Sequence, residues 1–300
     1  MSDEMLHVSD RAELEALRVL GPTDRLFPLE DAPRGTMNEV FRVLGQNEES
    51  FLRIQRKATS YSAAEQRSED LVHSWAVTNG FAPACKARAV LSDGRPVATF
   101  EWVEGRVPTT IEMSSPEMVG WLVSFVKKLA NSGLELPVRH DICGWPSFAL
   151  RTLSTSSDTE LQTMADVCDW ALTQTSRFRA VGERFVPSHS DLHQNNILIG
   201  RRQVIVDFQQ SREISLYSEL AGIAWFTLDK SKPWAMADLT ESLAQVSLRY
   251  DEPLDEFSLR WALLLRMLLS ASRSEGSPAR LTHLRAITLQ LAGKLGYHAF

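Results

Sequence analysis

Apolar and polar positions alternate through much of the first hundred residues. EVFRVLG (Glu39 to Gly45) and ESFLRIQR (Glu49 to Arg56) alternate or run β-branched and aromatic around the turn-forming pair Gln46-Asn47, and so predict two paired strands. CKARAVL and PVATFEWV, joined by the Asp93-Gly94 turn, predict two more. Between these pairs, SAAEQRSEDLVHSWAVTNG gathers Leu71, Val72, Trp75 and Ala76 on one helical face and stops near Asn79-Gly80. Beyond Gly105 the period lengthens. Ser115-Pro116-Glu117 reads as an N-cap and first turn, and Val119, Leu122, Val123, Val126, Leu129 and Ala130 then recur at helical spacing up to Asn131-Ser132-Gly133. Further helices are expected near 158–175, 216–228, 237–250, 255–272 and 279–295. NILI and VIVDF are the only clear strands of this half. A β-rich first part and a helical second part predict two lobes, 1–104 and 105–300, with a cleft between them.

The late strands carry the candidate chemistry. In HSDLHQNNILIGRRQVIVDF (His189 to Phe208), Ile197-Leu198-Ile199 and Val204-Ile205-Val206 flank GRRQ and should pair antiparallel. The start of one strand then lies beside the end of the other, with opposed residues about 4.5–5.5 Å apart. Asn196 stands at that start and Asp207 at that end. A carbonyl oxygen and a carboxylate would converge there, which suits a hard cation such as Mg²⁺. Asp191 lies on the loop leading into the same corner, free to accept a proton from a substrate hydroxyl. His189, Asp191 and His193 could instead form a transition-metal cluster, though no fourth ligand is evident and the hairpin would go unexplained.

Composition narrows the setting. A chain of 300 residues with 44% hydrophobic and 23% charged residues has the make-up of a globular protein. Cys85, Cys143 and Cys168 are odd in number and widely spaced, which argues against a disulfide framework and a cysteine metal site. The net charge of −6 disfavours nucleic acid and anionic membranes as partners and mildly favours a cationic ligand. MSDEMLHVSD is acidic where a signal peptide would be basic. WALLLRMLLSA (Trp261 to Ala271) is too short to span a bilayer and is broken by Arg266. A cytoplasmic protein is expected.

At HSDLHQNN and VIVDF the chain resembles the aminoglycoside phosphotransferase and choline kinase superfamily, relatives of the protein kinases. The resemblance implies a bilobal, protein-kinase-like α+β fold. It implies that Asp191 is the catalytic base, that Asn196 and Asp207 hold Mg²⁺, and that His189 braces the loop. On the first lobe it implies that Arg53, in FLRIQR, meets the phosphates of ATP or GTP, with Glu69 as its helical partner. Glu65, one turn away, remains open. APRGTMNEVFRV resembles the family's phosphate-binding turn, with Gly35 and Asn38 matching and a second glycine absent. FEWVEG is similar to the hinge that borders adenine, where the Glu101 C=O and the Val103 N–H would read the purine edge; it also fits an edge strand.

GWPSFALRTL and ISLYSELAGIAWF are similar to bacterial choline and thiamine kinases, which implies an amino-alcohol acceptor with a cationic nitrogen. Aromatic faces recognise such cations. Trp145, Trp225, Trp234 and Trp261, with Glu213, Glu219, Asp229 and Asp238 among them, are candidates for that wall, although most tryptophans serve as core. The acidic run DEPLDEF keeps an aminoglycoside acceptor open. Gln209 departs from the glutamate usual in choline kinases, and Asn195 from a small residue.

Overall fold

The computed structural model describes residues 8–29, 38–46, 48–56, 62–153, 159–180, 184–228, 234–273 and 278–298. Gly35, expected in the phosphate turn, and Asp229 lie outside them. The chain runs α1 (Val8–Ala16), β1 (Arg25–Pro28), β2 (Asn38–Leu44), β3 (Glu49–Gln55), α2 (Ala63–Thr78), β4 (Cys85–Val90), β5 (Pro96–Glu101) and β6 (Gly105–Arg106). It continues through α3 (Thr110–Met113), α4 (Pro116–Ala130), β7 (Arg139–His140), α5 (Trp145–Leu153), α6 (Thr159–Thr173), α7 (Thr175–Ala180), β8 (Phe185–Ser188), β9 (Ile197–Gly200), β10 (Gln203–Ile205) and β11 (Arg212–Ser215). The helices α8 (Leu216–Phe226), α9 (Met236–Tyr250), α10 (Glu256–Arg273) and α11 (Pro278–Lys294) close it.

Strands β1 to β5 form an antiparallel sheet in the order β1-β2-β3-β5-β4. Leu52, Ile54, Val43 and Val97 pack with Leu14 of α1 into a compact apolar cluster. Helix α2 starts at a capping box, in which Ser62 Oγ accepts from Glu65 N–H and the Glu65 carboxylate accepts from Ser62 N–H. Its apolar side does not join the sheet's cluster. Val72 and Ala76 instead belong to the larger core built by α4 and the helices that follow it.

The second half departs from the sequence reading in one respect. Besides the β9–β10 hairpin, the structure forms a small sheet in the order β7-β11-β8, and β6 extends the hairpin along β9. These strands are two to four residues long, too short to display a period. The β6–β9 pairing ties the segment after the first sheet to the β9–β10 hairpin. Gly200 permits that approach, because a Cβ there would collide with the Glu104 carbonyl.

His73 on α2 links this framework to pH. It is buried, its Nε2 lies 2.9 Å from the Pro83 carbonyl, and its ring meets the edges of Phe100 and Phe208. Burial, followed by the charge of Arg88, pushes its pKa down to about 4. The unfolded imidazole, near 6.5, therefore binds a proton first as pH falls. Stability from this residue is complete above about pH 6.5 and erodes between there and about pH 4. We expect the unfolding free energy to fall by about 3 kcal/mol across that window on this account. Urea titrations should show His73→Gln flattening the slope; an unchanged slope would assign it elsewhere.

Candidate active site

The hairpin brings three predicted residues to one corner. Ile205 pairs with Ile197, and Val206 N–H donates to the Asn196 carbonyl at 2.9 Å, so Asn196 and Asp207 lie side by side. Asn196 Nδ2 donates to the Asp191 carbonyl at 2.9 Å and points at Asp191 Oδ2 at 3.3 Å. That orientation turns the amide oxygen away from Asp191. Asp207 adopts a left-handed conformation (φ 61°, ψ 70°), uncommon for a residue with a side chain, at the end of the hairpin. Its carboxylate is 38% exposed, and Oδ1 accepts from Arg53 at 3.2 Å.

Burial and its neighbours act in opposition on Asp191. Burial raises its pKa, but the hydrogen bond and charge of His193, with smaller contributions from His189 and Arg266, outweigh it. The net effect holds the carboxyl below the usual aspartate range, so the group is an anion at neutral pH. His193 Nε2 stands 3.4 Å from Asp191 Oδ2. His189 braces the loop that carries Asp191. Its Nδ1 accepts from Asp191 N–H at 3.3 Å and its Nε2 faces the Val206 carbonyl at 3.1 Å, which fixes a neutral ring protonated on Nε2. Full burial pushes its pKa down further, against the pull of Asp191, Glu219 and Asp207. With both nitrogens engaged, His189 is no metal ligand. Among the described residues no group of three or more His, Cys, Asp or Glu could hold a metal.

The turn before Asp191 is held from behind. Ser190 has φ 66°, and its N–H is shared between Ser188 Oγ (2.8 Å) and Glu219 Oε1 (3.2 Å). Glu219, on α8, is 2% exposed. The sequence placed it in an acceptor wall; the structure makes it the support of the turn that carries Asp191.

On the first sheet, Arg53 Nη2 meets Glu69 Oε1 at 2.7 Å. Glu65 is consumed in the α2 cap, and Glu69, one turn on, faces the sheet. Arg88 reaches the same Glu69 oxygen at 3.2 Å and Asp70 at 2.9 Å, so the buried glutamate carries two guanidinium partners. Asn38 Nδ2 donates to Gln209 Oε1 at 3.0 Å, a bond that spans the two halves. The Asn38 amide oxygen is enclosed without a hydrogen-bond partner among the described residues. Glu101 ends β5, and its carboxylate accepts from Arg202 Nη2 at 2.8 Å and from Ala84 N–H at 3.2 Å. Val103 lies beyond the strand, outside every ladder among the described residues.

The expected aromatic wall is not built as such. Trp261 is fully buried and stacks on Phe178, while Trp225 and Trp234 pack edge to face in the core. The face of Trp145 is taken by Arg266, with its guanidinium carbon 5.6 Å from the ring centre. Glu213 pairs with Arg139, and Asp238 caps α9.

The donor set fits a hard divalent ion. Asn196 offers a carbonyl oxygen, Asp207 a half-exposed carboxylate, and Mg²⁺ typically takes one or two protein oxygens and completes its shell with phosphates and water.

Comparisons with known proteins bear on the fold and the family. The fold aligns with choline kinase LicA from Streptococcus pneumoniae (TM-score 0.69, 10% identity, 96% of this chain and 100% of that one). It aligns with a choline/ethanolamine kinase family protein from Mesorhizobium loti (0.68, 18%, 96% and 94%). The GDP and kanamycin complex of APH(2″)-IIia aligns comparably (0.66, 13%, 96% and 98%). No curated protein sequence matches significantly. Residues 29–261 match the model of the phosphotransferase enzyme family, and the chain, an α+β protein with the kinase-like fold of these structures, belongs to that family.

Proposed function

We propose that the protein transfers the γ-phosphoryl group of Mg·ATP to the hydroxyl of a small amino alcohol, with a nucleotide-binding lobe to about residue 104 and an acceptor-binding lobe from there on. The observation that carries this reading is the single corner shared by Asp191, Asn196, Asp207 and the Arg53–Glu69 pair. Asp191 orients the acceptor hydroxyl and takes its proton as the oxygen bonds to phosphorus; the bond to ADP breaks and its electron pair leaves with ADP. Arg53, held straight by Glu69, places positive charge beside the phosphates. Asn38 stands where the phosphate turn enters β2, and Glu101 and Val103 present backbone groups to the base. Asn196 and Asp207 would hold Mg²⁺, which supplies neutralisation of the phosphate charge.

The amino-alcohol class is supported by the engagement of three of the four acids in DEPLDEF, the run that kept an aminoglycoside open. In DEPLDEF, Asp255 accepts from Ser258 N–H at the start of α10, Glu256 pairs with Arg260, and Glu252 pairs with Lys127. A polyamine antibiotic would call for several unpaired acids. We expect choline-, ethanolamine- or thiamine-type alcohols to accelerate Mg-dependent ADP release and kanamycin not to. Acceleration by kanamycin alone would replace the acceptor class and leave the phosphotransfer reading standing.

A further inference from the structure

Arg266 interrupts the otherwise apolar run of α10, between the fully buried Leu265 and Met267. A charge in such a place must be repaid by contacts or by function. Its contacts are few. Nε donates to the Ser218 carbonyl at 3.0 Å, and Nη2 is 3.9 Å from Glu219 Oε2, beyond hydrogen-bond range. The other Glu219 oxygen, Oε1, accepts from Ser190 N–H. Both Nη groups, with four of the five N–H donors, make no hydrogen bond among the described residues, yet 11% of the side chain remains open to solvent. The chain nevertheless makes room for it. A Cβ on Gly222 of α8 would come within 2.9 Å of the guanidinium, so that helix keeps a glycine where the arginine lies.

The surroundings lead back to the base. His193, touching Asp191, packs edge to face on Phe226 at 5.9 Å. Phe226 also lies 5.7 Å from the Arg266 guanidinium, whose other aromatic contact is Trp145. Trp145 in turn meets His140 at 5.7 Å between ring centres. All six residues are partly open, and these contacts link them into a strip that begins at Asp191. The charge of Arg266 is felt along it, at Asp191 and at His140.

We propose that Arg266 is a specificity-determining residue that receives a carboxylate on the acceptor, along a strip whose near end is the base. The proposal rests on the phosphotransfer reading and narrows its acceptor class. The planar fork matches a carboxylate in two parallel hydrogen bonds. Aromatic rings on two sides hold the guanidinium in place before binding, which limits the entropy lost on forming those bonds. The same cation repels an acceptor whose only charge is positive. A zwitterionic alcohol, with its hydroxyl at Asp191 and its carboxylate at Arg266, satisfies both groups.

The test compares probes that add a carboxylate to an amino alcohol: ethanolamine against serine, and choline against carnitine. ADP release and calorimetric binding are read on wild type, Arg266→Gln and Gly222→Ala. The second variant keeps the charge but pushes the guanidinium aside, and stands in should the first fail to fold. We expect at least one carboxylate probe to exceed its partner by tenfold or more in kcat/KM. Arg266→Gln should abolish that advantage chiefly through KM, and calorimetry should show the same loss of carboxylate binding. Equal or better use of choline and ethanolamine, binding of neither carboxylate probe to wild type, or equal binding to both variants would each overturn the proposal. Slow ATP turnover without acceptor is measured alongside in wild type and Asp191→Asn; its indifference to Asp191 would sink the phosphotransfer reading instead.

Discussion

Asp191→Asn lowers kcat by about three orders of magnitude while nucleotide affinity stays within about threefold of wild type. The asymmetry follows from where the side chain stands. Its contacts are Asn196 Nδ2 and His193 Nε2, and among the described residues it makes none with Arg53 or Glu69, the pair proposed to face the nucleotide phosphates. Asparagine preserves the shape and can still accept a hydrogen bond from the substrate hydroxyl, so positioning survives in part. Its amide cannot take the proton. The Asp191 pKa already lies below the ordinary value, and loss of the carboxylate therefore removes a group that is ionised throughout the neutral range. Rapid-quench measurement of the chemical step, beside nucleotide titration, separates the two effects. An equal loss in both would mean that Asp191 holds the loop together and performs no proton transfer.

Much of this corner was legible because its parts are close in sequence. The spacing from Asp191 to Asn196 and two short apolar runs suffice to define the hairpin, whose antiparallel register dictates that Asn196 and Asp207 meet. Arg53 and Glu69 rest on the resemblance instead, and the structure brings them within 2.7 Å. Choosing Glu69 over Glu65 required the cap at Ser62, a local signal present in the sequence as Ser-x-x-Glu.

What stayed hidden depends on contacts between distant segments. The Asn38–Gln209 bond joins residues with no shared periodicity. It also gives Gln209, which departs from the family's usual glutamate, a neutral partner. The tryptophans of the second half could not be assigned to wall or core by residue type, because the same ring serves either; three of the four are core. The signals that point to the support of the catalytic loop were in view, however: a lone Arg266 inside WALLLRMLLSA and Gly222 inside an apolar helix. Each looks like an exception alone. Together they mark one buried contact.

The other large effect lies at Glu219. Glu219→Ala should cost about 4 kcal/mol of stability, because it leaves the Arg266 charge buried without its nearest anion and strips the Ser190 N–H of an acceptor. Ser190 holds a left-handed backbone conformation that ordinary residues adopt at a cost, so the released turn has reason to relax. Asp191 would move with it, and kcat should fall along with stability. Glu219→Gln keeps an oxygen for Ser190 but loses the charge, and should recover the loop more than the stability. The double variant Glu219→Ala/Arg266→Met removes both charges and should regain most of the stability without regaining activity. Urea denaturation gives the first quantity and turnover the second. Should the double variant be no more stable than Glu219→Ala, the cost would lie in the lost Ser190 hydrogen bond, and the buried charge pair would contribute little to the folded state.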